Sequence, residues 1–146
     1  MYLYKRLYTK NWDFTPEESR IQVTVVKNDK VLEDFDNPTY VTAQVASWRK
    51  FNALHGHIVD TYADGEDNYQ DIYLSYDDLC DILKLLKEVR DTKDFSKLPP
   101  TAGFFFGSKD VDEYYWYCVG YTINTLEDII SKEDSEEVDY IYNASW

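Results

Sequence analysis

Both ends of the chain read as strands. YLYKRLY at 2–8 is dense in aromatic residues, and VDYIYNASW at 138–146 sets an apolar or aromatic side chain at every second position. That is the period of a strand with one buried face. Aromatic residues make up 17% of the 146 residues, with 14 tyrosines, which argues for a packed sheet protein and against a coiled coil or a disordered tail. The length is about one domain's worth. No repeat, low-complexity tract or Gly/Ser linker divides it, so residues 1–146 are read as a single domain.

Between the ends, RIQVTVVK at 20–27 reads as a further strand. The polar stretch before it carries a short helical turn after Thr15-Pro16, and Asn28-Asp29 forms a tight turn into a short strand from Val31. A first helix is expected from Asn37-Pro38 to about Tyr62, with Val41, Val45, Trp48, Phe51, Ile58 and Tyr62 on one face and Gly56 weakening it locally. DIYLS at 71–75 reads as a strand, and Ser75 with Asp78 forms a capping box. The second helix then runs from Tyr76 to about Arg90 with Leu79, Ile82, Leu86 and Val89 inward, and Lys84/Glu88 and Lys87/Asp91 paired outside. GFFFG at 103–107 suits a buried strand. A third helix spans roughly Asp110 to Ser131, with Trp116, Val119, Ile123, Leu126 and Ile130 as a core face. Tyr114, Tyr117 and Tyr121 make a second face, expected to be buried between layers or at an interface. The sum is an α+β fold, a small and mostly antiparallel sheet covered by about three helices.

Charge narrows the partners. The net charge is −13, and all of it lies in residues 63–146, which hold twenty acids against seven bases. Binding phosphate backbones needs clustered Lys and Arg, so direct nucleic-acid binding is not expected. Asp64 through Asp81 holds seven acids and no base, and Asp110 through Trp146 holds ten acids with only Lys132. The expectation is that these stretches join in one negative surface that meets a basic partner, with Asp64, Glu66, Asp67, Asp71, Asp77, Asp78, Glu127 and Asp128 as its candidate residues.

The chemistry of sites is sparse. No GxGxxG, P-loop, GxSxG or HExxH pattern is present, and no enzyme is favoured, no catalytic residue is assigned and no cofactor is expected. The DGEDNYQD loop lacks the glycine and terminal glutamate of an EF-hand, holding Tyr69 and Ser75 at those positions. His55 and His57 point about 200° apart on a helix, so they do not share an ion, and no metal site is assigned. Cys80 and Cys118 read as buried free thiols in a reducing compartment. The longest uncharged stretch, Tyr114 to Leu126, is 13 residues and too short to cross a bilayer. With no apolar signal core at the start, a cytoplasmic location without membrane contact is expected. One strip invites a ligand: Arg49, Asn52 and His55, on one face of the first helix. A small-molecule or nucleotide pocket, or a cryptic enzyme, would use them with Asp112 or Glu113. Arg49 is expected to pair with one of those two carboxylates at the edge of the core, structurally if not for a ligand.

Taken together, MYLYKR at the start, WRKFNALH at 48–55, DGED at 64–67, LPPTAGFFFG at 98–107, DEYY at 112–115 and the closing YIYNASW resemble a family of small uncharacterised proteins of bacteriophages and prophages. The likeness spans nearly the whole chain. Family members commonly carry Met-Gly-Leu-Asp before Met-Tyr-Leu, Tyr before Trp-Arg-Lys and Trp two residues beyond the His; here Ser47 and His57 stand in the last two places. The resemblance implies a bacterial host cell and no established activity. The leading expectation is therefore a phage accessory protein that binds a bacterial host protein, with a defence or nucleic-acid-handling factor as its candidate target. A structural protein that self-assembles through its tyrosine-rich surface, as a homo-oligomer, is the third reading.

Overall fold

The computed structural model describes residues 1–35, 37–102, 109–132 and 138–145. The expected GFFFG strand and the final Trp146 lie outside the described residues. Strand β1 (Tyr2–Tyr8) leads into an arm holding the two-residue strands β2 (Val26–Lys27) and β3 (Lys30–Val31). The chain returns as β4 (Tyr40–Ser47), then forms α1 (Asn52–Tyr62), β5 (Ile72–Leu74), α2 (Tyr76–Thr92), α3 (Glu113–Ser131) and β6 (Val138–Asn143). The main sheet has the order β4-β1-β6-β5, every neighbour antiparallel. The fold is α+β, as the pattern of the sequence implies.

Register assigns the two faces of the sheet. Leu3 lies opposite Tyr142, and Tyr142 opposite Ile72, while Leu74 lies opposite Tyr140; all five are buried in one cluster with Leu54 and Ile58 of α1, Leu79 and Ile82 of α2 and Ile123 and Leu126 of α3. The helices therefore cover this face. The other face carries Tyr2, Tyr4 and Arg6 of β1, Thr42 of β4 and Tyr73 of β5, with Tyr2 and Tyr73 exposed.

Two expected elements differ. The expected helix over 37–62 is a strand followed by a shorter helix. Val41, Val45 and Trp48 fall at helical spacing, but β1 offers this stretch a ladder from Tyr8↔Tyr40 to Tyr2↔Ser47, interrupted by one register shift, and tertiary pairing overrides the local period. Pro38 sits before β4, its carbonyl accepting the Thr9 hydroxyl at 2.6 Å. The turn from β4 into α1 uses Lys50 at φ 59°, and α1 begins only at Asn52. The expected strand over 20–27 is realised at Val26–Lys27 alone. Upstream, the Asn11 side chain takes the place of a neighbouring strand: its Nδ2 donates to the Ile21 carbonyl at 2.7 Å and its Oδ1 accepts from the Ile21 N–H at 3.0 Å. The turn after β2 is as expected, with Asn28 and Asp29 both at positive φ, the conformation of a tight hairpin.

Of the remaining elements α2 follows its sequence signals closely, while in α3 the expected Trp116 and Ile130 are only half-buried and Tyr115, Cys118, Thr122 and Ile129 join Val119, Ile123 and Leu126 in the core. Ser75 and Asp78 form a reciprocal capping box, and the buried residues of α2 are Leu79, Ile82, Leu86 and Val89. Helix α3 starts three residues later than expected because Asp112 is its N-cap, accepting from the Tyr115 N–H at 3.0 Å. Instead of the expected i,i+4 pairs on α2, Lys87 reaches Glu127 of α3 at 2.6 Å and Glu88 is bonded by Lys97. The ion pairs thus fasten α2 to its neighbours.

Candidate functional site

The strip of Arg49, Asn52 and His55 is divided by the start of α1. Arg49 lies in the preceding turn, exposed, and its carbonyl accepts the Tyr114 hydroxyl. Its guanidinium pairs with neither Asp112 nor Glu113: Asp112 is spent on the α3 cap, and both acids are exposed rather than at the core edge. The expected Arg49–carboxylate bond does not form. Its premise was a helix through residue 49, and the chain turns there.

Asn52 and His55 are inside, at 4% and 2% exposure. His55 Nδ1 lies 2.8 Å from the Tyr142 hydroxyl and Nε2 lies 3.2 Å from Asp67 Oδ2. Burial lowers the histidine pKa below its ordinary value, against the raising influence of Asp67. Burial, with Asp67 second, pushes the Tyr142 phenol well up. His57 points elsewhere, 3.4 Å from Thr61 Oγ1, and its pKa is also lowered by burial. A neutral, buried imidazole held on both sides fastens α1 to β6 and to the 64–71 loop; it is not presented to a substrate.

Part of the expected pocket exists. Asn52 and Asp112 line one cleft of about 140 Å³ with Lys50, Phe51, Asp110, Tyr114 and Tyr115. Arg49, His55 and Glu113 do not line it. The volume is below the roughly 300–1,000 Å³ of ordinary ligand pockets. A separate concavity of about 800 Å³ lies in the arm beside Trp12, Arg20, Val25 and Phe35, away from the strip.

The acids are distributed along three elements. Asp64, Glu66, Asp67 and Asp71 occupy the loop before β5; Asp64 and Gly65 turn it at positive φ, and Asp71 accepts from Asn143 Nδ2 at 2.9 Å. Asp77 and Asp78 begin α2, where they favour the helix dipole. The Tyr62 hydroxyl, 3.5 Å from the Asp78 carbonyl, is pushed up to about 12 by burial and by Asp78 and Asp81. Glu127 and Asp128 lie near the end of α3, tied to Lys87 and Lys132 respectively.

The second face of α3 is not buried between layers. Tyr114 and Tyr117 stack with ring centroids 6.2 Å apart, and Tyr117 and Tyr121 stack at 6.3 Å; Tyr117 is 65% exposed. At about 100° per residue, Glu113, Tyr117, Tyr121 and Asp128 fall within one quarter of the helix surface. A carboxylate thus stands at each end of a tyrosine ladder. The i, i+3, i+7 spacing signalled the ladder, but not which way it faced.

Cys118 is buried and its thiol is pushed up by that burial, so it stays protonated and unreactive; Cys80 is half-buried. Among the described residues no three His, Cys, Asp or Glu side chains are placed to hold a metal, and no helix is long and apolar enough to cross a membrane. No family model matches the chain, and no curated protein or solved structure is significantly similar to it.

Proposed function

We propose that the protein is a non-enzymatic binding protein that engages a basic protein surface through the outer face of α3. The observation that carries this reading is the exposed stack of Tyr114, Tyr117 and Tyr121 between Glu113 and Asp128. Tyrosine gives large contact area at low entropic cost, its ring face attracts Lys and Arg, and the Glu113 carboxylate adds charge complementarity, whereas Asp128 is already paired with Lys132. The net charge of −13 would speed encounter with a cationic partner. That the partner is a bacterial host protein, such as a defence or nucleic-acid-handling factor, rests on the sequence resemblance to phage and prophage proteins.

The rival pocket reading has less support, since His55 is enclosed, Arg49 faces water and the cleft at Asn52 and Asp112 is small. The test is affinity capture from a bacterial lysate with the wild type, Tyr117→Ala and the double variant Glu113→Gln/Asp128→Asn, over a salt series. Specific capture that is lost in both variants and weakens steeply with salt supports the reading. Capture indifferent to both would overturn it.

A further inference from the structure

The edge of the main sheet at β4 is unusual for so charged a chain. Residues 37–48 carry no charged side chain, and Tyr40 through Gln44 are all exposed. Edge strands are ordinarily guarded by charge, proline or a bulge against pairing with another chain. Here the guards stand at the two ends only. Pro38 precedes the strand, and the register changes from Leu3↔Ala46 to Tyr4↔Gln44, so Val45 is an extra, bulged residue. Five residues between them, Tyr40 to Gln44, are open.

Hydrogen-bond parity shows which backbone groups are free. The Thr9 N–H donates to the Thr39 carbonyl at 3.2 Å, and at the far end the Trp48 N–H donates to the Met1 carbonyl at 2.9 Å. Odd residues of β1 therefore bond to β4, and alternation directs the backbone of Val41 and Ala43 inward and that of Tyr40, Thr42 and Gln44 outward. Among the described residues no backbone hydrogen bond reaches these three from outside the main sheet.

We propose that two copies of this chain join through antiparallel pairing of their β4 edges, about a two-fold axis at Thr42. In that register Thr42 faces Thr42 of the second copy, Tyr40 faces Gln44 and Gln44 faces Tyr40, so every outward N–H and C=O of the three residues meets its complement. A shift by one residue would oppose groups that point away from each other. The second copy is the occupant that the register fits, because the outward backbone groups of Tyr40, Thr42 and Gln44 are their own complement about Thr42 and the edge carries no charged side chain. Two chains of −13 repel, but the excess acid lies in residues 63–146 and the edge belongs to the neutral part. Arg6 lies on the inner side of the edge, 4.5 Å over the Tyr40 ring and 3.4 Å from the Thr42 hydroxyl, so each copy brings one positive charge beside the axis and the backbone bonds must outweigh that repulsion. A five-residue ladder covers less than the roughly 1,200 Å² of a standard interface, so dissociation constants on the order of tens to hundreds of micromolar follow.

Sedimentation equilibrium of the full chain over a concentration series tests this. A monomer–dimer equilibrium is expected for the wild type. Thr42→Lys opposes two like charges across the axis and should weaken it on the order of tenfold or more. Thr42→Pro removes an outward N–H while sparing the bonds to β1, and should yield a folded monomer. Register is read separately: hydrogen-bonded antiparallel partners lie about 5.5 Å apart at Cα, within disulfide range. Thr42→Cys should then form a chain-to-chain disulfide on mild oxidation, whereas Tyr40→Cys, facing Gln44, and the wild type should not. A wild type that stays monomeric up to millimolar concentration, a dimer untouched by Thr42→Lys, or a folded Thr42→Cys that does not cross-link would overturn the proposal.

Discussion

His55 Nδ1 and the Tyr142 hydroxyl lie 2.8 Å apart where α1 meets β6, and both residues are closed off from water. Asp67, 3.2 Å from Nε2, can only accept, so Nε2 carries the ring proton and Nδ1 accepts from the phenol. One neutral tautomer satisfies all three groups. Protonating Nδ1 would place its new N–H against the phenol and charge a ring that burial keeps neutral.

A pH dependence follows from that geometry. The folded pKa of His55 is depressed from its ordinary 6.5, and so is that of His57, in both cases chiefly by burial. As pH falls below about 6.5 the unfolded chain takes up protons that the folded chain refuses, so stability is full above this range and declines toward the lower folded pKa values. Urea midpoints should fall between about pH 7 and about pH 5, ahead of carboxylate protonation. His55→Gln should lower stability at neutral pH and flatten this slope; an unchanged slope would mean that His55 titrates as freely when folded as when unfolded.

The two glycines of the helices should respond oppositely to alanine. A Cβ on Gly56 would lie 1.7 Å from Thr101 Oγ1 and 2.8 Å from Thr101 Cβ, because α1 packs directly on the 98–102 segment. Gly56→Ala should therefore destabilise by about 1–3 kcal/mol despite its helix propensity. A Cβ on Gly120 would meet nothing within 4 Å, and Gly120→Ala should stabilise by about 0.5–1 kcal/mol. Thermal melts of the two variants check both signs.

These contrasts show what the sequence could convey. Leu79, Ile82, Leu86 and Val89 were legible because α2 has one wet side and one dry side, and all four are buried. Ser75 and Asp78 were legible because a capping box is local. The 40–47 stretch was not, since its partner is β1, more than thirty residues away, and only pairing separates its apolar spacing from that of a helix. The loss of the Arg49 site follows from the same element. Once residue 49 lies in a turn, its side chain leaves the core edge, while Asn52 and His55 stay inside. By sequence Gly56 is a weak point of a helix; Thr101, far along the chain, makes it a point of close approach.

Neighbouring tyrosines on α3 should separate stability from binding. Tyr115 is 4% exposed, packs edge-on against Phe51 and donates its hydroxyl to the Leu98 carbonyl at 2.9 Å. Tyr115→Ala should cost about 3–5 kcal/mol, and Tyr115→Phe, which keeps the packing, about 1 kcal/mol. Tyr117 stands in water with only stacking neighbours, so Tyr117→Ala should stay within about 0.5 kcal/mol of wild type. Equilibrium denaturation of the three variants measures the difference, and a large loss in Tyr117→Ala would show that the ladder supports the fold rather than a partner.

The Arg49 side chain should be dispensable for stability. A guanidinium paired at a core edge would make Arg49→Ala a severe lesion, of about 3–5 kcal/mol, through the carboxylate it strands. Here the side chain is exposed, Asp112 caps α3 without it, and the bond that crosses from this turn to α3 is made by the Arg49 carbonyl with the Tyr114 hydroxyl. Truncating the side chain leaves that carbonyl in place, so Arg49→Ala should melt within about 0.5 kcal/mol of wild type. Tyr114→Phe removes the bond itself and should cost more, up to about 1 kcal/mol for a part-exposed hydroxyl. Melting curves that reverse this order would place the anchoring of the turn in the guanidinium, and with it restore a charged link between residue 49 and the start of α3.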